Sequence, residues 1–468
     1  MFYNPYDTIC AISTPPGQGG IAVIRISGKD VYTVIDKIFK PAKSSTFSHE
    51  ENKTTSIAFG HILRFGEILD EVLVTTFRAP HSYTGENVVE ISCHGSLYIQ
   101  QEILKLLLTA GCRSAAAGEF TQRAFLNGRI DLSQAEAVGD LIASSTAAAH
   151  RIAMQQMRGG ISAELANLRE QLLQFTSLVE LELDFAEEDV EFADRKQLKE
   201  LALQVETVIL RLSDSFEAGN AIKNGIPVAI VGETNAGKST LLNRLLKEER
   251  AIVSDIHGTT RDAIEDTVVI DGLMFRFIDT AGIRETRDTI EQLGIERTYQ
   301  KIEQATIVLW VIDLADNLRN ANRFLEDIVT RTEGKKLIWI LNKADKLTDD
   351  ELSQKKAGYV HLGKDRIVIS AKSDADLSTL ERKLVEAAAI PQIGENDVIV
   401  ANMRHYEALT LALAAVSRVM TGLDDGISGD FLSQDIRECL YHLGQITGQQ
   451  IGTEEVLENI FRNFCIGK

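Results

Sequence analysis

Val228-Ala229-Ile230-Val231-Gly232-Glu233-Thr234-Asn235-Ala236-Gly237-Lys238-Ser239-Thr240 decides the fold of the middle of the chain. An apolar strand runs into a loop of the form G-x-x-x-x-G-K-[ST], and an amphipathic helix runs out from Thr240. In that setting the glycines let backbone N–H groups wrap the α- and β-phosphates of a nucleotide. Lys238 offers a point charge to the β/γ oxygens, and Ser239 can ligate Mg²⁺. Strand, loop and helix together imply an α/β nucleoside-triphosphate domain.

The base is addressed farther along, at Asn342-Lys343-Ala344-Asp345, directly after the apolar run Leu337-Ile338-Trp339-Ile340-Leu341. A carboxylate such as Asp345 accepts from both the ring N–H and the exocyclic amine of guanine. Adenine presents no such donor pair and would leave a charge unpaired. Ser370-Ala371-Lys372 completes the base pocket. Asp279-Thr280-Ala281-Gly282 follows the strand Phe275-Arg276-Phe277-Ile278, so Asp279 is expected to hold Mg²⁺ through water and the Gly282 N–H to meet the γ-phosphate. Thr260, within Gly258-Thr259-Thr260, is the expected switch residue, closing on Mg²⁺ when the γ-phosphate is present. The four elements, in order, imply a GTPase.

One position departs from the Ras-like pattern: a glutamine that orients water is replaced by Ile283, whose side chain cannot position water. Another group must orient the water and supply the charge of an arginine finger. Asn235 could ligate a monovalent cation beside the phosphates, and Glu291 could reach the water. On spacing alone, the favoured readings of the two are a solvent-facing loop residue and a helix-surface acid.

The 468-residue chain has room for about three domains, and its 44% hydrophobic and 25% charged content marks a globular protein. Five scattered cysteines with no C-x-x-C pair argue against a disulfide frame or a structural zinc, which suits a reducing cytoplasm. No export signal, membrane span or organelle presequence is expected. The net charge of −19 argues against a broad phosphate-binding face, so a partner would hold much of any RNA.

Residues 1–118 read as an α/β domain, with strands at 21–26, 71–77 and 88–92 and a helix over 97–110. Gly17-Gln18-Gly19-Gly20 precedes a strand, so it is a turn or a close approach of backbone and not a dinucleotide fingerprint. Residues 119–218 turn helical, with Leu168, Leu172, Leu173, Leu178 and Leu181 at helical spacing and the acidic run Glu187-Glu188-Asp189 at a solvated corner. Residues 219–390 alternate strand and helix, with a hairpin signal at Asp271-Gly272. Residues 391–468 are helical again. Inserted domains enter where chain ends lie close together, so one helical domain built from both blocks is expected, with the GTPase looped out of it. The apolar tail Phe464-Cys465-Ile466-Gly467-Lys468 is expected to dock. Cys465 is either a packed small hydrophobe or a thiol activated near Lys468.

The run Ala11-Ile12-Ser13-Thr14-Pro15-Pro16-Gly17-Gln18-Gly19-Gly20, the segment Gly118-Glu119-Phe120-Thr121-Gln122-Arg123-Ala124-Phe125-Leu126-Asn127-Gly128-Arg129, the GTPase set and the terminal Cys-Ile-Gly-Lys resemble the MnmE (TrmE) family of tRNA-modification GTPases. The resemblance covers essentially the whole chain. It implies a cytoplasmic homodimer joined through the N-terminal domains and working with an FAD-containing partner, MnmG. The pair would add a carboxymethylaminomethyl or aminomethyl group to carbon 5 of the wobble uridine of certain tRNAs. The carbon would come from a tetrahydrofolate, 5-formyl or 5,10-methylene, and the nitrogen from glycine or ammonium. Residue by residue, the resemblance makes Arg25, Glu90, Arg129 and Lys468 folate contacts. It makes Asn235, Ser254, Ile256 (by its carbonyl) and Thr259 ligands of K⁺, Ser239 and Thr260 ligands of Mg²⁺, and Glu291 the acid that orients water. It places the whole segment Ser254-Asp255-Ile256-His257-Gly258-Thr259-Thr260 at the nucleotide. Cys465 would be a candidate participant in the modification chemistry. Ser254 and His257 depart from the threonine and small residue frequent at those places, and Arg129 from a frequent lysine. The rival readings are an Era-like GTPase switch of ribosome assembly, which would need a basic RNA-binding appendage, and a stand-alone folate-dependent transferase, which would need no GTPase.

Overall fold

The computed structural model describes residues 6–42, 54–184, 195–233, 235–248, 266–278, 299–315, 329–359, 365–391, 394, 397–449 and 467. The chain divides into two compact units, one of residues 1–143, 153–210 and 407–468, the other of 144–152 and 211–406.

The first unit opens with β1 (Ile9–Ile12), β2 (Gly19–Ser27), α1 (Val31–Ile38), β3 (Phe39–Pro41), β4 (Thr55–Arg64), β5 (Glu67–Phe77), β6 (Val88–Gly95), α2 (Leu97–Ala110) and β7 (Arg113–Ser114). The strands form one sheet in the order β3-β4-β5-β6-β2-β1-β7. It is antiparallel apart from the β1–β7 pairing. Period-two alternation explains its faces: in β5, Asp70, Val72, Val74 and Thr76 turn inward while Glu71 and Leu73 turn outward. The inward face joins α1 and α2 in a core of Ile24, Ile26, Ile35, Ile62, Val74, Ile91, Ile103 and Leu107. The other face leaves Ile21 71% and Ile57 65% exposed, with Phe59 and Leu73 also exposed. β1, β4 and α1 escape a reading from sequence because Gly60 interrupts β4 and the other two span only 4 and 8 residues.

α3 (Glu119–Leu126) is tied to this sheet by a buried ion cluster around Arg123. α4 (Leu132–Ala143), α5 (Ala147–Met157), α6 (Gly160–Asp184) and α7 (Arg195–Asp214) follow. Within α6, Leu168 and Leu172 are buried and Leu173 is exposed. The run Glu187-Glu188-Asp189 lies outside the described residues.

In the second unit, α8 (Phe216–Asn224) leads into β8 (Ile226–Gly232), α9 (Lys238–Glu248), β9 (Asp266–Ile270), β10 (Leu273–Phe277), β11 (Ile307–Asp313), β12 (Lys336–Asn342), α10 (Asp349–Gly358), β13 (Arg366–Val368) and α11 (Asp374–Ala388). The sheet order is β13-β12-β11-β8-β10-β9, parallel except for β9, which returns against β10 through the turn at Asp271-Gly272. β8, β11 and β12 are nearly continuous apolar runs because both sheet faces are covered by separate cores.

The chain then returns through α12 (Met403–Asp424) and α13 (Gly429–Thr447). α13 packs along α6 and against α4, so helices from both blocks share one core. Among the described residues, no helix is long and apolar enough to cross a membrane.

Candidate functional site

Parallel sheets place binding groups at the carboxyl ends of their strands, and here β8, β11 and β12 end in Gly232, Asp313 and Asn342. β11 and β12 pair with Asp313 opposite Asn342, so these two polar ends stand side by side. Asn342 is 1% exposed. Its Nδ2 donates to the Ala236 carbonyl at 2.8 Å, and its Oδ1 accepts from the Ala371 N–H at 3.0 Å. One side chain therefore staples the phosphate loop to the base loop, a role that motif reading assigns no residue.

That staple explains Gly237. Its φ is +100°, and a Cβ there would stand 2.2 Å from Asn342 Nδ2. Gly237→Ala is therefore expected to displace the staple, weaken GDP binding about 10-fold or more and leave the fold standing, since the cost of a lost buried hydrogen bond is about 1–3 kcal/mol. Equilibrium titration with a fluorescent GDP, beside circular dichroism of the same protein, checks this.

Lys343, at φ +68°, donates to the Asn235 carbonyl at 2.6 Å and pairs with Asp313. Asn235 itself is exposed at φ +63°. Asp345 Oδ1 accepts from Ser370 Oγ at 2.8 Å, and the Ser370 N–H donates to Asp376 Oδ2 at 2.7 Å. Ser370 thus orients the carboxylate meant for the base while Asp376 orients Ser370. The Lys372 N–H reaches the same hydroxyl at 3.4 Å, and the Lys372 carbonyl accepts from Arg244 of α9 at 3.3 Å. Ala344 is the first residue of a short 3₁₀ turn that carries Asp345.

Lys238 Nζ donates to the carbonyls of Gly232 and Glu233 at 2.7 and 2.6 Å. Burial lowers its pKa from the ordinary lysine value, and the nearby Lys301 charge adds to this while Glu233 opposes it. A group made reluctant to carry charge gains most from an anionic partner. Ser239 and Thr240 follow on the first turn of α9. The residues present fit a guanine nucleotide: a phosphate loop whose glycines leave no room for a Cβ, a half-buried ammonium within it, and a carboxylate with acceptor capacity at the base end. Of the expected ligands and switch residues, Ser254, Asp255, Ile256, His257, Gly258, Thr259, Thr260, Asp279, Thr280, Ala281, Gly282 and Glu291 lie outside the described residues.

A second polar cluster sits on the sheet of the first unit. Pairing registers set Ala11, Arg25, Glu90 and Thr75 in one row across β1, β2, β6 and β5. Arg25 Nε and Nη2 both reach Glu90 Oε1 at 2.8 Å. The guanidinium lies 5.1 Å from the Tyr83 ring centroid and 5.7 Å from that of Phe120. Tyr83 bonds Thr121 Oγ1 at 2.7 Å, and burial raises its pKa against the opposing effects of Thr121 and Arg25. The Arg129 stem runs past Gly85, where a Cβ would stand 3.1 Å from Arg129 Cγ. The structure thus joins Arg25 to Glu90 and sets Arg129 on the Tyr83–Gly85 loop. A planar heterocycle with adjacent N–H donors fits an acid paired with a guanidinium that lies against two aromatic rings. Tyr83 and Phe120 were not legible beforehand, since single aromatics carry no motif. Cys465 and Lys468 lie outside the described residues. The other four cysteines are free and buried, and no group of three or more metal-ligating side chains occurs among the described residues.

Comparison with known proteins accounts for the chain from end to end. A family model described as "GTP-binding protein TrmE N-terminus" matches residues 8–129, and one described as "MnmE helical domain" matches residues 132–465. A protein of Bacteroides fragilis named tRNA modification GTPase MnmE is 59% identical over 465 residues, 99% of each chain. Proteins of the same name from Bacteroides thetaiotaomicron and Flavobacterium johnsoniae are 58% and 53% identical over 465 residues, again 99% of each chain. Among solved structures, Aquifex aeolicus Era bound to GDP·AlF₄⁻ aligns with 40% of this chain and 66% of its own at 28% identity and a TM-score of 0.28.

Proposed function

The chain belongs to the MnmE family of tRNA modification GTPases, and from that premise we propose that it is a potassium-activated enzyme that uses a tetrahydrofolate one-carbon unit, with an FAD-dependent partner, to build a carboxymethylaminomethyl or aminomethyl group on carbon 5 of the wobble uridine of certain tRNAs. The observation that carries this reading is the pairing of two sites in one chain: the nucleotide loop stapled by Asn342, and the Arg25–Glu90 pair beneath Tyr83 and Phe120.

When bound, GTP supplies the phosphoryl group that is transferred to water. The loop amides and Lys238 hold its phosphates, Ser239 holds Mg²⁺ together with Thr260, and Asp345 reads guanine. Ile283 cannot orient the attacking water. Asn235, Ser254, Ile256 and Thr259 would hold K⁺, which would supply the charge that an arginine finger brings elsewhere, and Glu291 would orient the water. On the other site, Glu90 pairs with the adjacent N–H donors of a pterin, while Arg25, Arg129 and Lys468 suit the carboxylates of its glutamate tail.

The apolar side chains Ile21, Ile57, Phe59 and Leu73, exposed on one sheet face, support a homodimer formed through the N-terminal sheets, because exposed apolar surface favours a self-complementary contact. The net charge of −19 supports a tRNA held largely by the FAD-dependent partner, MnmG, in the cytoplasm.

GTP hydrolysis in KCl against NaCl, with Asn235→Ala alongside, tests the cation. Hydrolysis should be faster in K⁺ by about 10²-fold, the scale of one transition-state charge contact, and the variant should run alike in both salts. Equal rates for the unaltered protein would remove the K⁺ ligands and Glu291 from their roles. Mass spectrometry of tRNA nucleosides from a deletion strain separates this reading from a ribosome-assembly switch. An intact wobble modification with immature ribosomal subunits would favour the switch.

A further inference from the structure

The hairpin from β4 to β5 turns in two residues, Phe65-Gly66, with Arg64 paired to Glu67 across it. The favoured turn of that length takes positive φ at both central residues, which is why asparagine or aspartate before glycine is its usual sequence. Here a phenylalanine stands in the first place at φ +49°, followed by Gly66 at +87°. A bulky side chain in the left-handed region is a genuine outlier. The ring returns nothing to the fold, because Phe65 is 94% exposed. Strain held at so open a place points to a use outside the fold.

The surroundings of the ring say what it suits. The Arg64 guanidinium lies 5.5 Å from the Phe65 ring centroid. Its Nη1 donates to Tyr98 Oη at 3.0 Å and stands 3.1 Å from Glu102 Oε2. Glu102 is buried on α2, and its other oxygen accepts from Lys105 Nζ at 2.8 Å. Tyr98, in the first turn of α2, is 58% exposed. Two open aromatic rings are thus bridged by one guanidinium whose charge Glu102 answers. Of the neighbours Arg64, Gly66, Glu67 and Ile68, only Ile68 is apolar, whereas a protein hot spot is ringed by contacts that exclude water. An unpaired nucleobase requires less, a flat face to stack on and a guanidinium plane beside it. A chain of net charge −19 has little to offer phosphates, so RNA that it holds is held by the bases.

We propose that Phe65, Arg64 and Tyr98 form a stacking platform for an unpaired base of the tRNA. That platform presupposes tRNA as the substrate and is a contact made by this chain itself, beside whatever the FAD-dependent partner holds. Thr75 stands in the row of Arg25 and Glu90. Glu67, at the turn, lies eight residues along β5 from Thr75, or about 26 Å of strand. A base stacked at the turn is therefore not the one presented to the Arg25–Glu90 face.

The test uses the full chain and fluorescence anisotropy. The probes are a labelled oligoadenylate of about 12 nucleotides, within the span of known single-strand sites, an RNA duplex of the same length, and an unmodified tRNA transcript. Phe65→Ala should weaken binding of the single strand and of the tRNA about 5- to 100-fold, the range for one lost base–aromatic stack. Duplex affinity and GTP hydrolysis should be unchanged. Phe65→Trp keeps a flat ring and should bind at least as tightly as the unaltered protein. Phe65→Asn separates stacking from folding: it relieves the turn and should raise the midpoint of thermal unfolding by about 2–4 °C, yet lose the single strand as Phe65→Ala does. Equal single-strand affinity in Phe65→Ala and the unaltered protein, or an unaltered protein that binds none of the three RNAs, overturns the platform. Equal losses on single strand and duplex overturn stacking as its basis. Unchanged RNA affinities with a lower sedimentation mass in Phe65→Ala would overturn it in favour of a contact between two copies of the chain. Wobble modification left intact in a deletion strain would overturn the tRNA reading itself, while the oligoadenylate affinities would still report on the platform.

Discussion

Asp345→Asn is expected to lower affinity for GTP by about 10²–10³-fold and to transfer much of the lost affinity to xanthosine triphosphate. Asp345 sits on a short 3₁₀ turn with one carboxylate oxygen held by Ser370 Oγ at 2.8 Å, and Ser370 is held in turn by Asp376 at 2.7 Å. The Ser370 hydroxyl holds one carboxylate oxygen and leaves acceptor capacity on this exposed side chain for the base. Guanine brings two donors, its ring N–H and its exocyclic amine. Asparagine replaces one acceptor by an N–H₂ group, which sets donor against donor and removes a charge-assisted bond. Unpaired polar groups in such a site cost about 1–3 kcal/mol each, more when charged. Xanthine carries a carbonyl in place of the amine, so it accepts what asparagine donates. Competition of the two triphosphates against a fluorescent guanine nucleotide measures the switch, and the gain for the xanthine nucleotide shows that the variant is folded. Equal GTP affinity in variant and unaltered protein would remove Asp345 from the base pocket.

Arg123→Leu is expected to destabilise the first unit by about 3–5 kcal/mol, the scale set by breaking a buried ion pair from one side. Arg123 is 0% exposed. Its Nη1 donates to the Asp7 carbonyl at 2.8 Å and to Glu86 Oε2 at 3.0 Å, and its Nη2 donates to Glu119 Oε1 at 3.0 Å. Removing the guanidinium takes the Arg123 ion pair from two carboxylates. Glu119 keeps Arg113 at 2.6 and 3.0 Å and the Ala116 N–H at 2.8 Å, whereas Glu86 keeps the Ser27 hydroxyl. Adding Glu86→Gln to Arg123→Leu should therefore recover part of the loss. Thermal unfolding followed by tryptophan-independent circular dichroism, with all three proteins compared, checks both the size and the recovery.

The same cluster makes stability depend on acid. Burial works against ionisation of Glu119, but bonds from Arg113 and the Ala116 N–H, with the Arg113 and Arg123 charges, outweigh it and hold the carboxyl below its ordinary value of 4.5. A carboxyl depressed in the folded state stabilises fully above its unfolded value, and that contribution is lost as pH falls through the folded one. The unaltered protein should thus lose more stability than Glu119→Gln between about pH 5 and pH 3.

Local order was legible where one contiguous stretch carries both the pattern and its consequence. Val228–Thr240 encodes strand, loop and helix because apolar periodicity and glycine placement act within a dozen residues. The same is true of the hairpin at Asp271-Gly272 and of the helix over Leu97–Ala110. The short strand Ile9–Ile12 and the interrupted strand Thr55–Arg64 were not legible, because their extended form is set by neighbours in the sheet and not by their own residues. Asn342 shows the limit within a motif. Its position after an apolar strand marks it as part of the base loop, yet its amide binds Ala236 and Ala371, which lie 106 and 29 positions away.

The sequence by itself determined that this chain holds a guanine nucleotide in an α/β domain set between helical segments, since phosphate and base recognition depend on backbone and side-chain types at fixed short spacings. Tertiary structure alone decided that Arg25 and Glu90 pair beneath Tyr83 and Phe120, that Arg123 lies buried between Glu86 and Glu119, and that Gly467 rests on Ser13. Those contacts join groups that no local period links, several through backbone carbonyls that every residue possesses, so only the folded chain can say which of them meet.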